Sequence, residues 1–151
     1  MITGKVSRKG FSTYKMDPKY RVSIPVAWRT EKGEDFHLQF SNKRGWPIVK
    51  VLTEAAYQTK ISNVENGEGS IEEKNYHVGK LAMLCREATL NEQGKLLIPK
   101  DLSDLCGIEP EAEVILAGRE TYFEIWSKAN HAEMMEKERE APLFPDRYDI
   151  Y

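Results

Sequence analysis

The sequence predicts an α+β fold, mainly β, with a pseudo-two-fold β core made from two internal repeats and short flanking helices. Three observations lead there. The turn-forming stretch MDPKYRVSIP, Met16 to Pro25, returns in blurred form as LNEQGKLLIP, Leu90 to Pro99. The shift of 74 residues that lays Pro25 on Pro99 also lays IVKVLTEA, from Ile48, on YFEIWSKA, from Tyr122, with four residues fewer after Arg29 compensated in the loop Asn42 to Trp46. Finally, each copy offers only a few short strands. Isolated hairpins are marginal in water, so the two copies must share one core, and 151 residues suffice to bury one.

The elements follow in order. Residues 1–9 read as a basic N-terminal arm. The first repeat, residues 10–66, opens with a strand from Phe11 to Met16, a turn, and a second strand from Arg21 to Ile24 that Pro25 stops for want of a ladder donor. The pair is predicted to form a hairpin. Asp17-Pro18 suits the start of a type I turn, the acid accepting local backbone hydrogens and the proline fixing φ. Tyr20 stands where the second copy has Gly94, which predicts a different backbone type for the first turn. VAWRTEKG weakly suggests a short helix; DFHLQF and PIVKVL are strands, and Thr53 caps a helix. Residues 67–85 form a linking helix, started by the capping box Ser70-Ile-Glu-Glu73 and running into Tyr76, Leu81 and Leu84.

The second repeat, residues 86–138, repeats this plan. A strand from Arg86 to Leu90 meets the Gln93-Gly94 turn and a strand from Lys95 to Ile98; KDLSDLCG is a helix with Leu102, Leu105 and Cys106 on one face and Gly107 as its cap. AEVILAG and YFEIW are strands, and Ser127 caps the last helix. Residues 139–151 contain two prolines and no period, and read as an extended tail.

Charge is unevenly spread. Residues 1–30 carry seven Lys or Arg against Asp17 alone, a balance of +6, while the remainder is −8. A polyanion partner for one face is one reading of this asymmetry, a solvated basic arm the other. No apolar run nears the ~18 residues of a membrane helix, the N-terminus lacks a secretory apolar region, and Cys85 and Cys106 make no disulfide framework. A soluble protein of a reducing, cytosolic setting is expected. No enzyme is expected either: His37, His77 and His131 lie far apart, and no C-x-x-C, phosphate-cradling glycine loop or H-E-x-x-H is present. Cys85 among Leu81, Leu84 and Leu90 reads as core, and Trp126 beside Phe123 and Ile125 as packing.

The run Gly10 to Arg29, with Asp17, Arg21, Pro25 and Arg29 at matching intervals, resembles the opening of MraZ proteins, bacterial transcriptional regulators with paired AbrB-like swapped-hairpin units. The run from Leu96 to Gly118, with Tyr122 to Lys128, is similar too, so the resemblance spans roughly residues 10 to 137. It implies a swapped-hairpin AbrB-like β-barrel core. It further implies a regulator, read as a repressor, that binds double-stranded DNA at repeated promoter boxes as a ring-like or otherwise closed homo-oligomer, for a cell-division and cell-wall gene cluster. Such a protein acts in the cytoplasm at the nucleoid, without cofactor, metal, membrane or small-molecule substrate. Asp17 and Arg21 match the family's D-x-x-x-R turn and Lys19 its middle base; Asn91 and Lys95 depart from it in the second copy, where Glu92 adds a negative charge. Arginine can hold a guanine edge or phosphate bidentately and lysine cannot, so the first copy should be the reader. Arg21 and Lys19 are expected at the DNA, Asp17 as the acceptor that holds Arg21, Lys95 as a weaker contact, and Lys5, Arg8 and Lys9 as phosphate contacts from a flexible arm. Two rivals are an AbrB-like antitoxin whose tail blocks a toxin, and an assembly module that no longer binds DNA.

Overall fold

The computed structural model describes residues 6–31 and 33–150. Its strands are β1 (Phe11–Lys15), β2 (Arg21–Ser23), β3 (Phe36–Lys43), β4 (Trp46–Thr53), β5 (Cys85–Ala88), β6 (Lys95–Leu97), β7 (Glu113–Gly118) and β8 (Phe123–Ser127). The α-helices are α1 (Glu54–Glu65), α2 (Ile71–Leu84), α3 (Lys100–Leu105) and α4 (Lys128–Glu140). The fold is thus α+β and mainly strands, as expected.

Local chemistry sets the helix boundaries. Thr53, Ser70 and Ser127 each accept, through the side-chain oxygen, the backbone N–H three residues on, at 3.0, 3.0 and 3.1 Å. At the end of α3, Gly107 at φ +69° allows a Schellman turn: its N–H donates to Asp104 at 3.2 Å, that of Ile108 donates to Ser103 at 2.8 Å, and Ile108 is buried. The segment VAWRTEKG forms only a single 3₁₀ turn, Val26–Trp28, whose first position follows Pro25 without a side-chain cap.

All strand pairs are antiparallel. A six-stranded sheet runs β1-β7-β8-β4-β3-β5, and β2 pairs β6 in a separate ribbon. The order is palindromic under exchange of the repeats. Directly opposed residues prove the point: Val22 faces Leu96 in the ribbon and Lys50 faces Glu124 in the sheet, each 74 positions apart. Tyr14 faces Val114, and Ala88, the repeat equivalent of Tyr14, faces Phe36. An internal dyad therefore passes through the Val22/Leu96 and Lys50/Glu124 pairs. Lys50 opposite Glu124 is an arrangement only a duplicated chain can have, because in a true dimer the residue on the axis would face its own copy and like charges would repel.

Two expectations are corrected. β1 and β2 do not pair with one another; β1 pairs β7 and β2 pairs β6, so the strands flanking each turn join the opposite repeat. Within the first turn itself the main chain is closed by Asp17 N–H to the Arg21 carbonyl at 2.8 Å and Tyr20 N–H to the Asp17 carbonyl at 3.1 Å. Nor does a barrel close. The three-residue ribbon strands end at Pro25 and Pro99 and are hydrogen-bonded to each other, leaving β1 and β5 as the two edges of the sheet.

Side-chain alternation gives the sheet two covered faces. Val49, Val51, Leu38, Val114, Leu116, Phe123 and Ile125 pack toward the ribbon residues Val22, Ile24, Leu96 and Ile98 and toward Leu102 and Cys106 from α3. The Cys106 thiol is pushed up to about 12 by this burial and behaves as a core residue. On the other face Ile48, Ile115, Ala117 and Trp126 form a second cluster against Met134 of α4. No helix among the described residues is long and apolar enough to cross a membrane.

Candidate nucleic-acid interface

Pairing of β2 with β6 sets the two turns side by side. They share one hydrogen-bond plan. In the first, the N–H groups of Lys19 and Arg21 donate to Asp17 Oδ1 at 2.8 Å each; in the second, those of Gln93 and Lys95 donate to Asn91 Oδ1 at 2.9 Å each. Tyr20 N–H reaches the Asp17 carbonyl at 3.1 Å and Gly94 N–H the Asn91 carbonyl at 2.9 Å. Tyr20 and Gly94 lie at φ +63° and +76°, so the backbone types are the same and the difference expected from Tyr20 is not found. A side-chain oxygen that closes the turn makes left-handed backbone tolerable for tyrosine, which also packs against the main core. Each turn then locks the other: Ile24 N–H donates to the Gly94 carbonyl and Ile98 N–H to that of Tyr20, at 3.1 and 2.9 Å.

Asp17 uses its other oxygen on arginine. Oδ2 accepts from Arg21 Nε at 2.8 Å and lies 3.8 Å from Lys95 Nζ. Both cations remain about one-third exposed. The Arg21 guanidinium is thereby held by one edge, and its Nη groups have no recorded partner among the described residues. This is the geometry a positioned, outward-reading arginine requires. Lys19 is exposed on the same turn.

Burial pushes the Asp17 pKa up, but the N–H groups of Arg21 and Lys19 and the Arg21 guanidinium outweigh it and hold the carboxyl below its ordinary value. A carboxyl with a depressed folded pKa contributes stability above its unfolded value, and loses it as pH falls through the folded one. Asp17→Asn keeps the acceptor Oδ1, as Asn91 does naturally, and removes the charge. Urea unfolding followed from about pH 5 down to about pH 2 should therefore show a shallower acid loss in Asp17→Asn than in the parent chain. Parallel curves would separate Asp17 from the acid limb.

The second turn has the opposite surroundings. A groove of about 440 Å³ beside it is lined by Glu31, Glu34 and Glu92, with Arg29, Asn91 and Gly94. Arg29, not foreseen as a contributor to this site, donates from Nε to the Ile24 carbonyl at 2.9 Å and spreads its guanidinium over Gly94. A Cβ at Gly94 would come 2.2 Å from Arg29 Cζ. At the first turn the same two places hold Tyr20 and, from the second repeat, Ser103, a large residue on the turn and a small one beyond it. That exchange of sizes was the available signal. Gly94→Ala should displace Arg29 and strain the turn, lowering unfolding free energy by about 1–2 kcal/mol in urea titration.

The remaining predicted residues are not gathered here. Arg8 belongs to no flexible arm: it is 3% exposed, bridges Glu120 through both backbone groups at 2.9 Å, and donates from Nε and Nη2 to the Trp28 carbonyl at 3.2 and 2.9 Å and from Nη1 to that of Thr121 at 3.2 Å. Carbonyl dipoles satisfy the guanidinium inside the fold, which removes it from contact with a duplex. Lys9 is exposed but lies at the far end of β1 from Asp17, ~15 Å of strand away. Lys5 lies outside the described residues.

No protein-family model matches the chain. Curated relatives do. The transcriptional regulator MraZ of Desulfosudis oleivorans is 28% identical over 127 residues, 83% of this chain and 83% of the relative. That of Clostridium acetobutylicum is 29% identical over 84% of this chain and 86% of its own length, and that of Mycoplasmopsis pulmonis 24% over 77% and 76%. The chain is thus related, across most of its length, to bacterial transcriptional regulators, and the expectation that it is no enzyme is borne out by them. All three relatives are named MraZ, and the resemblance drawn from the runs Gly10 to Arg29 and Leu96 to Lys128 is borne out.

Proposed function

We propose that the chain is a sequence-specific DNA-binding regulator of transcription, a repressor that engages repeated promoter boxes as a closed homo-oligomer built from swapped-hairpin units. The observation that carries this is the Asp17–Arg21 pair at 2.8 Å, which fixes one edge of a partly exposed arginine on a turn braced by the opposite repeat. The first turn, with Arg21 and Lys19, supplies the reading contact. The second, with Asn91, Glu92 and a carboxylate-lined groove, supplies the frame, and Lys95 at most a peripheral charge. Such a protein works in the cytoplasm at the nucleoid. Single turns bind weakly, so affinity arises from several copies linked in one assembly, and boxes spaced ~10 bp apart would present the same groove face to successive turns. Nuclease protection of the DNA upstream of the chain's own gene tests the reading. Protected boxes at that spacing support it; a complex with no protected repeat overturns it.

A further inference from the structure

The helix-covered face of the sheet carries one residue per strand in direct register: Phe11, Ala117, Glu124, Lys50, Gln39 and Cys85. The dyad passes between Glu124 and Lys50, so the two halves of this row occupy equivalent backbone positions. They are filled differently. On the second repeat's side, Met134 of α4 packs on Ile48, Ile115 and Trp126, and His131 lies 4.8 Å from the Phe11 ring and 5.6 Å from that of Trp126. On the first repeat's side, α1 has Lys60 where α4 has Met134, and the sheet offers Lys50 and Gln39.

Cations accumulate there. Glu124, 1% exposed, accepts from Lys43 Nζ at 3.0 Å and from Trp126 Nε1 at 3.0 Å, with Arg119 Nε 3.8 Å away. Lys50 stands opposite that carboxylate in register, its Nζ 5.7 Å from the centre of the Tyr122 ring. Neither Lys50 nor Lys60 has an ion pair within 4.0 Å recorded among the described residues. Burial lowers the pKa of both: for Lys50 the Glu124 carboxylate opposes this shift while Lys43 and Arg119 add to it, and for Lys60 the neighbouring Lys50 adds to it while Tyr122 and Cys85 oppose it. Beside them the Gln39 Oε1 is buried without a hydrogen-bond partner. The scaffold alone does not call for Lys60 and Gln39, since the dyad-related half has Met134 and Ala117 in the same places. Clustered, half-buried like charges are unfavourable unless something offsets them.

We propose that Lys50, Lys60, Lys43 and Arg119, with Tyr122 alongside, form a binding site for a small phosphate-bearing anion, on the sheet face turned away from the ribbon and its turns. One carboxylate against four cations leaves three positive charges in excess, which suits a multiply charged ligand; the arginine fork and lysine point charges suit phosphoryl oxygens. Lys50 stands on the sheet and Lys60 on α1 above it, both only partly exposed, and the ligand proposed is a free small anion. This site is independent of the proposed DNA reading.

Inorganic pyrophosphate, titrated at constant ionic strength into the full chain, tests it by calorimetry and thermal unfolding. The parent chain is expected to bind and to gain Tm, and Arg21→Ala to behave like it. The Lys50→Met, Lys60→Met double variant should bind ~10-fold or more weakly, being without two charge-assisted hydrogen bonds, and should show no pyrophosphate-dependent gain in Tm. Its Tm in pyrophosphate-free buffer should equal or exceed that of the parent, which separates a missing site from a damaged fold; Lys60→Gln, on the surface helix alone, should show an intermediate loss. Parent-like affinity in the double variant, absent binding in the parent, or binding abolished by Arg21→Ala would each overturn the proposal.

Discussion

Arg21→Ala is expected to weaken binding of the upstream promoter by about 1–3 kcal/mol per base contact, or to reduce the salt dependence by ~1 per phosphate contact. Because several turns act together, the effect in each copy multiplies across the assembly. The fold should survive. The two N–H donors to Asp17 Oδ1 and the Ile24 and Ile98 bonds between turns do not involve the arginine side chain, and a partly exposed ion pair contributes little. Fluorescence anisotropy on labelled promoter DNA across a salt series, with circular dichroism to confirm folding, measures both quantities. Arg21→Lys should not restore binding, because a single ammonium cannot keep one edge on Asp17 Oδ2 and present a planar fork outward. Unchanged affinity and slope in a folded Arg21→Ala would remove this residue from the interface.

Phe123→Ala should produce the largest loss of stability, about 3–5 kcal/mol by urea unfolding. The ring is fully buried in the second repeat's strand β8, yet its neighbours belong to the first: Trp28 with ring centres 5.3 Å apart, and Phe36 edge-on at 5.9 Å. Truncation opens a cavity at the seam between repeats, in the core that the two halves share. A domain of this size commonly has about 5–15 kcal/mol in hand, so the variant should be close to its limit at growth temperature. Phe123→Leu, which conserves most of the volume, should cost less than about 1.5 kcal/mol. Equal losses for the two variants would mean the cavity is not the cause.

Much of this was legible in the residues. The 74-residue offset found by aligning Pro25 with Pro99 became the dyad itself, since Val22/Leu96 and Lys50/Glu124 face each other across it. Caps at Thr53, Ser70 and Ser127 and the glycine stop at Gly107 were readable because a helix end is a local matter, settled by a hydroxyl or a missing Cβ. The hairpins were misjudged for the opposite reason. A turn flanked by two strands pairs them by default, and nothing local announces that β1 will join β7 and β2 will join β6. Composition placed Arg8 in a basic arm; only the fold brings the Trp28 and Thr121 carbonyls around it. Asp17 and Arg21 were assigned because they match the turn motif of the family the chain resembles, whereas Arg29 went unassigned at this site because its partner Gly94 is 65 positions away.

The central claim is that the first turn, and not the second, meets DNA. Lys19 and Gln93 hold equivalent, exposed places on the two turns, so a photo-crosslinking residue can be set at either without disturbing a packed side chain. Irradiation of the promoter complex is expected to give crosslinked DNA from position 19 and background from position 93. Equal or stronger crosslinking from position 93, or none from position 19 in a complex that is demonstrably formed, would contradict the account.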